Sequence, residues 1–491
     1  MMPPAEGGAA RRLVAPESHR FLPWIEPPTP VAGVCAAGIA LALIAGVLSA
    51  IHESWTAPVM VLSVLVFAVV FIQQLGIRVG TIVLLIFTCL IDRYTVPVGP
   101  FDVRPEQVAA IVGIGAVLWT SARERQLDAF MPNRGEILLG AWFVVALVGS
   151  YLAAQSRTDS FKVLALVMIS SVAFLLPRRL LHPRASDLDA VVYWLLLAFA
   201  LESAYALAAY FLHLLGPTLS MSVNRGQLSV FGTLWEPNVL GAMCAAGAVA
   251  WTYLGAMHFR RHWIGIALCA SATIVTFTRA AWIALFVVLA VTLVTPLRRR
   301  IDHRAVAVAA IAALMVLGAV LGAERFASYN PEQPHPLQTS TNIGTSVGDR
   351  GDIIGRIDQV RPVLADLRNP ILGAGIDSFG QRYIIGGVRQ HITNVELMVL
   401  NDTGLLGLAL LVALAATIAA GVWRNGDNRV VVGLAATVAV IAITNQATES
   451  LELMVTWLLV GLLSAAVSLS PQAATERAQR SRYRLVTASQ E

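Results

Sequence analysis

Long apolar runs separated by short polar connections follow one another along the chain from Val31 to Leu469. Each run approaches the length that a helix needs to cross the hydrocarbon core of a bilayer, so the pattern predicts a bundle of membrane-spanning helices. Because neighbouring runs in so apolar a chain can merge, we expect about 12 to 14 spans. The predicted spans cover residues 31–51, 58–75, 79–91, 107–121, 136–154, 161–177, 189–215, 238–257, 262–277, 280–296, 305–323, 395–423, 430–444 and 452–469.

One long polar stretch, residues 324–394, interrupts the apolar runs late in the chain. The predicted fold class is therefore all-α, a polytopic transmembrane helix bundle with one large extracytoplasmic loop between late spans. The predicted segments are a disordered cytoplasmic N-terminal tail (1–30), a transmembrane bundle (31–323), the extracytoplasmic loop (324–394), C-terminal transmembrane helices (395–469) and a cytoplasmic basic tail (470–491).

The composition agrees with a membrane protein. Of the 491 residues, 57% are hydrophobic and only 13% are charged, and the mean hydropathy is +0.69. These values lie far from those of soluble globular chains. The first thirty residues are polar and rich in proline, without the apolar core of a signal peptide, so we expect the first span to direct insertion. The four cysteines fall within predicted spans without metal-binding spacing, which indicates packing residues.

The distribution of arginine predicts the topology. With the N-terminus in the cytoplasm, the short arginine-rich connections all face the cytoplasm, as the positive-inside rule requires. The loop 324–394 then faces outside, and we predict a multi-pass protein of the cytoplasmic membrane whose site faces the outside or periplasm. The net charge of +5 reports this topology rather than a nucleic-acid partner.

Arg279 is placed unusually by this topology. Between it and the cytoplasmic arginines 298–300 lie 18 residues, which as a helix cover roughly 27 Å, about one hydrocarbon core. Arg279 is thus predicted at the outer face, where positive-inside statistics disfavour arginine. Two interpretations stay open: an interfacial anchor or ion-pair partner, and a fixed cation that binds an anionic substrate.

Two further arginines fall on the same predicted side. Arg225 follows the seventh span, and Arg356 lies in the long loop. Three arginines suit a diphosphate, because each planar guanidinium binds phosphate oxygens in pairs and stays charged. Their surroundings form four motifs: Arg225, Gly232, Pro237 and Asn238; Thr278, Arg279 and Trp282; Gly355, Arg356, Asn369, Pro370, Gly373 and Gly375; and Asn394, Gly404 and Gly407.

In this order, over residues 200–420, the chain resembles the bacterial O-antigen ligase and O-antigen polymerase family. The resemblance implies a metal-independent glycosyltransferase without a cofactor. Its donor would be a glycan on an undecaprenyl diphosphate carrier. Its acceptor would be a lipid A core glycolipid for a ligase, or another carrier-linked repeat for a polymerase.

The resemblance also implies roles for individual residues. Arg225 and Arg279 would hold the carrier diphosphate, with Arg356 contributing from the loop. Cations aimed at this leaving group stabilise the charge that it gains as the glycosidic bond breaks, without a metal. Asn238 and Asn394 belong to the motifs and are expected to bind substrate.

The general base is left open by one departure from the family pattern. The family commonly places a histidine before the asparagine of the last motif, where this chain has Thr393, and the nearest histidine is His391. His391 is therefore the candidate catalytic base. The competing carboxyl groups are Glu396, Asp402, Glu449 and Glu452; of these, Glu396 and Asp402 are also predicted to contact substrate.

Two alternatives belong to other classes of function. A transporter or flippase of an anionic lipid-linked glycan would also place arginines in a membrane cavity, although the candidate residues lie at the interface and no half of the chain visibly repeats the other. A peptidoglycan polymerase of the shape, elongation, division and sporulation family is a second possibility. The sugar, the acceptor, the oligomeric state and the choice between ligase and polymerase do not follow from one sequence.

Overall fold

The computed structural model describes most of the predicted bundle. The described residues are 56–91, 95–98, 101–124, 131–182, 184–213, 221–224, 227–234, 236–326, 360–361, 363–365, 369–385, 388–389, 391–446 and 450–470. The predicted tails, the first span, most of the long loop, Arg225, Arg356 and Glu449 lie outside them.

Helices make up nearly all of the described chain, as the apolar runs predict. They are α1 (Thr56–Cys89), α2 (Pro105–Glu124), α3 (Arg134–Ala153), α4 (Arg157–Leu181), α5 (Ala185–His213), α6 (Pro237–His258), α7 (His262–Val275), α8 (Arg279–Val294), α9 (His303–Phe326), α10 (Ser378–Arg382), α11 (Val395–Arg424), α12 (Arg429–Thr444) and α13 (Met454–Ser470).

Short antiparallel hairpins, which the sequence pattern does not predict, occupy three of the connections. They pair β1 (Val96–Val98) with β2 (Phe101–Val103), β3 (Met221–Asn224) with β4 (Gln227–Val230), and β5 (Ile384–Ile385) with β6 (Val388–Arg389). Each hairpin lies in a connection between helices, so the bundle itself is helical and the predicted class holds at this level.

Six of the described helices are long and apolar enough to cross a membrane, namely Met60–Cys89, Arg134–Ala153, Arg157–Leu181, Ser186–Leu212, Pro237–His258 and Val395–Arg424. Shorter apolar helices pack among them. The chain is therefore a multi-pass membrane protein, and the expected number of spans stays a prediction.

α1 reverses direction at Gly76. Its 34 residues would form a straight helix of roughly 51 Å, in which Phe71 and Phe87 would lie roughly 24 Å apart. Instead, their rings stack with centroids 5.7 Å apart, and both rings contact Trp194 of α5. Gly76 adopts φ 77° and ψ 160°, a conformation essentially restricted to glycine. α1 therefore consists of two helices that pack side by side.

α6 lies at the centre of the bundle and fixes the direction of its neighbours. All of its residues from Val239 to Gly255 are buried. Near its beginning, the Thr278 hydroxyl donates to the Pro237 carbonyl oxygen at 3.0 Å. Near its end, Arg429 of α12 donates to the Tyr253 carbonyl oxygen at 2.6 Å. α8 therefore runs parallel to α6 and α12 antiparallel to it.

The bundle has two ends, an Arg279 end and an Arg429 end. The Arg279 end holds Pro237, Arg279 and Asn445, and the Arg429 end holds Tyr253 and Arg429. At the Arg429 end, charged side chains form ion pairs in the interior.

The carboxylate of Glu136 exemplifies these pairs. It accepts from Arg178 at 2.8 Å and from Arg179 at 2.9 Å, with only 4% of the Glu136 side chain exposed. Arg78 pairs with Glu124 in the same way. The sequence-based topology assigns these arginines to the cytoplasmic side, and this orientation stays a prediction.

Candidate active site

A break in α11 lies beside the candidate site. Gly404 adopts φ 65° and ψ −167°, which interrupts the helix. The amides after the break bond outside the helix: Leu405 donates to the carbonyl oxygen of Pro370 at 2.8 Å, and Leu406 donates to that of Ile371 at 3.2 Å. The segment 369–375 thus satisfies backbone groups that a broken membrane helix would otherwise leave unpaired.

The same segment also binds the residues before the break. The amide of Ala374 donates to the Asn401 carbonyl oxygen at 2.8 Å, and that of Gly375 donates to the Asp402 carbonyl oxygen at 3.0 Å. The backbones approach so closely that a Cβ on Gly373 would lie 2.5 Å from the carbonyl group of Asp402. Glycine is needed at position 373 because no side chain fits there.

Two of the sequence motifs are therefore parts of one structure. The side-chain oxygen of Asn369 accepts from the amides of Ile371 and Leu372, both at 3.0 Å, which holds the start of the segment in a turn. Asn369 through Gly375 forms one half of the unit, and the break at Gly404 forms the other. The sequence shows these motifs in order, and the structure shows why they occur together.

Asp402 holds the turn that follows the segment. It is only 4% exposed, and its carboxylate accepts from the Asn401 amide group at 2.7 Å, the Asp377 backbone N–H at 3.2 Å and the Ser378 hydroxyl at 3.5 Å. Arg382 donates to the Asn401 side-chain oxygen at 3.3 Å. Asp377 itself has φ 56°, so Asp402 holds a left-handed turn, a conformation that aspartate adopts more readily than most residues other than glycine.

Two serines dock this turn onto the bundle. The Ile376 amide donates to the Ser150 hydroxyl of α3 at 3.1 Å, and the Ser160 hydroxyl of α4 donates to the Ile376 carbonyl oxygen at 2.6 Å. Gln381 donates to Ser160 at 3.1 Å. The turn therefore has a fixed position between α3 and α4.

A cavity that is partly open to solvent lies beside this turn. It is bounded by α3, α4, α11 and the connections that precede α10, α11 and α13. Three of its lining residues carry carboxyl groups, and His391 is the basic lining residue. The lining consists of Trp142, Val163, Val167, Ile376, Asp377, Phe379, Gly380, His391, Ile392, Met398, Val399, Asp402, Leu451 and Glu452.

Glu452 is the cavity carboxyl group that precedes α13. Its backbone carbonyl oxygen accepts from the Ser170 hydroxyl of α4 at 2.8 Å. Burial raises the pKa of Glu452 above its usual range; nearby Arg104 and His391 lower this pKa, whereas Asp377 raises it. Because Arg104 lowers the pKa of Glu452, it lies close to the cavity. Arg104 is not among the residues predicted from the sequence.

Arg279 lies on the first turn of α8 and is half-buried. The turn before it contains Phe277 with φ 53°, which is rare for an aromatic residue. The Trp282 ring donates to the Thr273 carbonyl oxygen at 2.8 Å and ties α8 to α7. Together with the bond from Thr278 to α6, this contact explains the motif, because it fixes the backbone that carries Arg279.

Asn238 follows Pro237 at the start of α6, beside the Arg279 turn. The preceding connection is held by Glu202 of α5, whose carboxylate accepts from the Thr233 backbone at 3.0 Å and from its hydroxyl at 2.7 Å. Glu202 is 7% exposed and does not stand out in the sequence. It positions the connection between α5 and α6.

Asn394 and Glu396 lie outside the cavity lining. The Asn394 oxygen accepts from the Leu397 amide at 2.8 Å and caps α11, while its nitrogen donates to Gln446 at 2.8 Å. Gln446 in turn donates to Glu396 at 2.7 Å. These residues join the start of α11 to the end of α12 at the Arg279 end.

The structure thus divides the predicted site residues. His391 and Asp402 line the cavity, whereas Arg279, Asn238, Asn394 and Glu396 lie at the same end of the bundle without lining it. Within the described ranges, no group of three or more His, Cys, Asp or Glu side chains has a metal-binding arrangement. The absence of a cofactor and of a metal stays a prediction.

Sequence reasoning missed Trp142, Asp377 and Arg104. Asp377 follows the glycine motif closely, in the sequence GAGID, and this position is the signal that would have found it. Trp142 lies in an ordinary apolar run, and Arg104 lies in a short connection more than 300 residues before Glu452. Only the folded chain brings these residues together.

Fold and site together define a multi-pass helical membrane protein with a cavity that carries carboxyl and imidazole groups beside a broken helix. The O-antigen ligase family model matches residues 264–412. This region extends from α7 into α11 and includes Arg279, the segment 369–375 and the break at Gly404. The match confirms the resemblance seen in the motifs for this part of the chain. No curated protein matches the chain.

Proposed function

We propose that the protein transfers a glycan from a polyprenyl diphosphate carrier to a glycolipid or glycan acceptor at the outer face of the cytoplasmic membrane. One observation carries this proposal. Two motifs of the matched region form a single backbone unit, and the residues that directly adjoin this unit, Ile376, Asp377 and Asp402, line a cavity with carboxyl and imidazole groups. Arg279 begins its helix at the same end of the bundle.

The proposed reaction is a displacement at the anomeric carbon of the donor sugar. The acceptor hydroxyl oxygen forms a bond to this carbon, the bond from carbon to phosphate oxygen breaks, and the diphosphate leaves with the electron pair. Arg225 and Arg279 hold the diphosphate, and Arg356 contributes from the long loop. Because charge grows on the leaving group during bond cleavage, these arginines stabilise the transition state more than the bound donor.

The remaining predicted residues have supporting roles. His391 lines the cavity and is the sequence-based candidate for the proton acceptor. Asp402 orients the cavity wall through its bonds to the Asp377 turn. Asn238, Asn394 and Glu396 are proposed to contact the carrier or the glycan at the Arg279 end.

The test uses the purified full-length chain in liposomes with carrier-linked glycan from the source bacterium and an envelope acceptor. We expect transfer without nucleotide and in excess chelator, because arginines supply the charge that a divalent metal supplies elsewhere. A ligase attaches the glycan to the acceptor glycolipid, whereas a polymerase lengthens the carrier-linked chain. Activity that chelator abolishes and one metal restores would contradict metal independence. Movement of the donor across the bilayer without transfer would instead establish a flippase.

A further inference from the structure

The cavity and the Arg279 end differ in the chemistry that they offer. Three of the cavity-lining residues, Asp377, Asp402 and Glu452, carry carboxyl groups. Carboxylates repel a diphosphate in a partly desolvated site, where Coulomb interactions are stronger than in water. The cavity, in which His391 is the basic lining residue, is therefore less suited to the diphosphate than the Arg279 end. A neutral, hydroxyl-rich group suits it, because carboxylates accept hydrogen bonds from hydroxyl groups.

We propose that this cavity binds the acceptor sugar and that Glu452 receives the proton of its attacking hydroxyl group. This inference rests on the proposed glycan transfer and assigns a separate subsite to each substrate. The diphosphate occupies the arginine-bearing end, and the acceptor enters between α3, α4 and α11. The aromatic rings of Trp142 and Phe379 form apolar walls for the acceptor sugar.

The other carboxyl groups are less suited to accept this proton. Asp402 already accepts three hydrogen bonds and supports the left-handed turn at Asp377. Asp377 belongs to that turn, and its backbone N–H donates to the Asp402 carboxylate. Glu396 bonds to Gln446 away from the cavity. Glu452 remains as a cavity carboxyl group beside the apolar residues Leu451 and Val167.

Charged groups from several elements surround Glu452. The groups around it are Arg104 before α2, Asp377 before α10, His391 before α11 and Asp402 on α11, while α4 presents Ser170 and valines. Burial raises the pKa of Glu452, and a carboxylate with a raised pKa is a stronger base. Arg104 and His391 act in the opposite direction and favour the ionised form.

In the proposed step, every bond that forms is matched by a bond that breaks. The acceptor O–H bond breaks, its proton moves to a Glu452 oxygen, and the acceptor oxygen forms the new glycosidic bond. The bond between the anomeric carbon and the diphosphate breaks with its electrons on the diphosphate. Glu452 then releases the proton to water, and the diphosphate stays with the carrier lipid.

The sign of the pH dependence follows from this role. Glu452 must be ionised to accept a proton, so transfer rises with pH through the raised pKa of Glu452. Glu452→Gln removes that rise and lowers kcat by on the order of a hundredfold. Since burial disfavours the charged form, Glu452→Gln should leave thermal stability at neutral pH unchanged or higher.

The experiment compares kcat against pH for the parent, Glu452→Gln, Glu452→Asp and His391→Gln in the liposome assay. Asp427→Asn, at an exposed position in the turn between α11 and α12, is the control for loss of a carboxylate. We expect Glu452→Asp to keep part of the activity and the acidic limb of the profile. An intact acidic limb in Glu452→Gln, or its loss in His391→Gln alone, would overturn the proposal.

A second measurement covers the case in which a variant does not fold. Dicyclohexylcarbodiimide modifies protonated carboxyl groups in apolar surroundings, and the modified peptide is identified by mass spectrometry in the parent protein. We expect modification of Glu452 and loss of transfer to proceed at the same rate, both slowing as pH rises. Inactivation without modification at Glu452 would refute the proposal. A parent protein without any transfer activity would instead refute the proposed function.

Discussion

Arg279 owes its position to the residues on either side of it. Phe277 turns the chain in a left-handed conformation, Thr278 bonds to the start of α6, and Trp282 bonds back to α7. A residue held by three such contacts has a fixed Cα, and its guanidinium extends from a defined point. This arrangement suits a ligand that is recognised by geometry as well as by charge.

Arg279→Lys tests this interpretation. Lysine keeps the charge but loses the planar pair of donors, so transfer should fall by roughly a hundredfold, equivalent to about 3 kcal/mol of transition-state stabilisation. Initial transfer rates are compared at matched amounts of folded protein, with Arg424→Lys at the opposite end of the bundle as the control. An interfacial anchor would tolerate lysine, because lysine also reaches the interface. A near-parental rate for Arg279→Lys would therefore refute the diphosphate role.

At the scale of elements, the broken α11 and the segment 369–375 depend on each other. The segment supplies acceptors to Leu405 and Leu406, and the helix supplies acceptors to Ala374 and Gly375. Neither piece satisfies its backbone groups alone inside a bundle. We therefore expect the two to fold as one unit, and the cavity to exist only when both are in place.

Gly404→Ala should disrupt the contact between the break in α11 and the segment 369–375. The backbone of Gly404 lies in a region that side chains seldom allow, and a Cβ there would collide with the Ile371 carbonyl oxygen. We expect a loss of about 1–3 kcal/mol or more in stability, measured as a lower thermal unfolding midpoint, together with loss of transfer.

Gly140→Ala is the matched control for this substitution. Gly140 lies within α3, and its Cβ would meet no atom within 4 Å. Alanine is the better helix former, so this variant should unfold at the parental temperature or higher. Equal unfolding midpoints and equal transfer for Gly404→Ala and Gly140→Ala would show that the break in α11 is not essential.

The sequence predicts the helices of this bundle better than its site. Apolar runs report contact with lipid, and the runs 58–75 and 79–91 correspond to the two halves of α1. The break at Gly404 depends on hydrogen bonds to a segment some 30 residues earlier. The hydrophobic periodicity of the sequence does not predict these bonds. Glu452 and Trp142 meet across more than 300 residues. The motifs showed the resemblance to the O-antigen ligase family and singled out Arg279, but the cavity could be found only in the folded structure.

Across the whole molecule, the positive-inside rule predicts that the Arg429 end faces the cytoplasm and the loop 324–394 faces outside. In a cysteine-free background, a cysteine at Ser340, in the part of the loop outside the described residues, should react with an impermeant thiol reagent in intact cells. A cysteine at Asp427, exposed at the Arg429 end, should react only after lysis. The reverse pattern would place the site on the cytoplasmic side and exclude an outer-face reaction.

The reversal of α1 at Gly76 has a consequence for the sidedness of every later element. A straight α1 would carry the chain from one side of the membrane to the other, whereas two packed halves return it to the side on which α1 began. The parity of crossings before α2 therefore depends on one residue. If position 76 were helical, the elements after α1 would have to insert with the opposite membrane orientation, or the chain would have to lose a span. A single glycine near the start of the bundle thus helps to decide which compartment the distant cavity can serve.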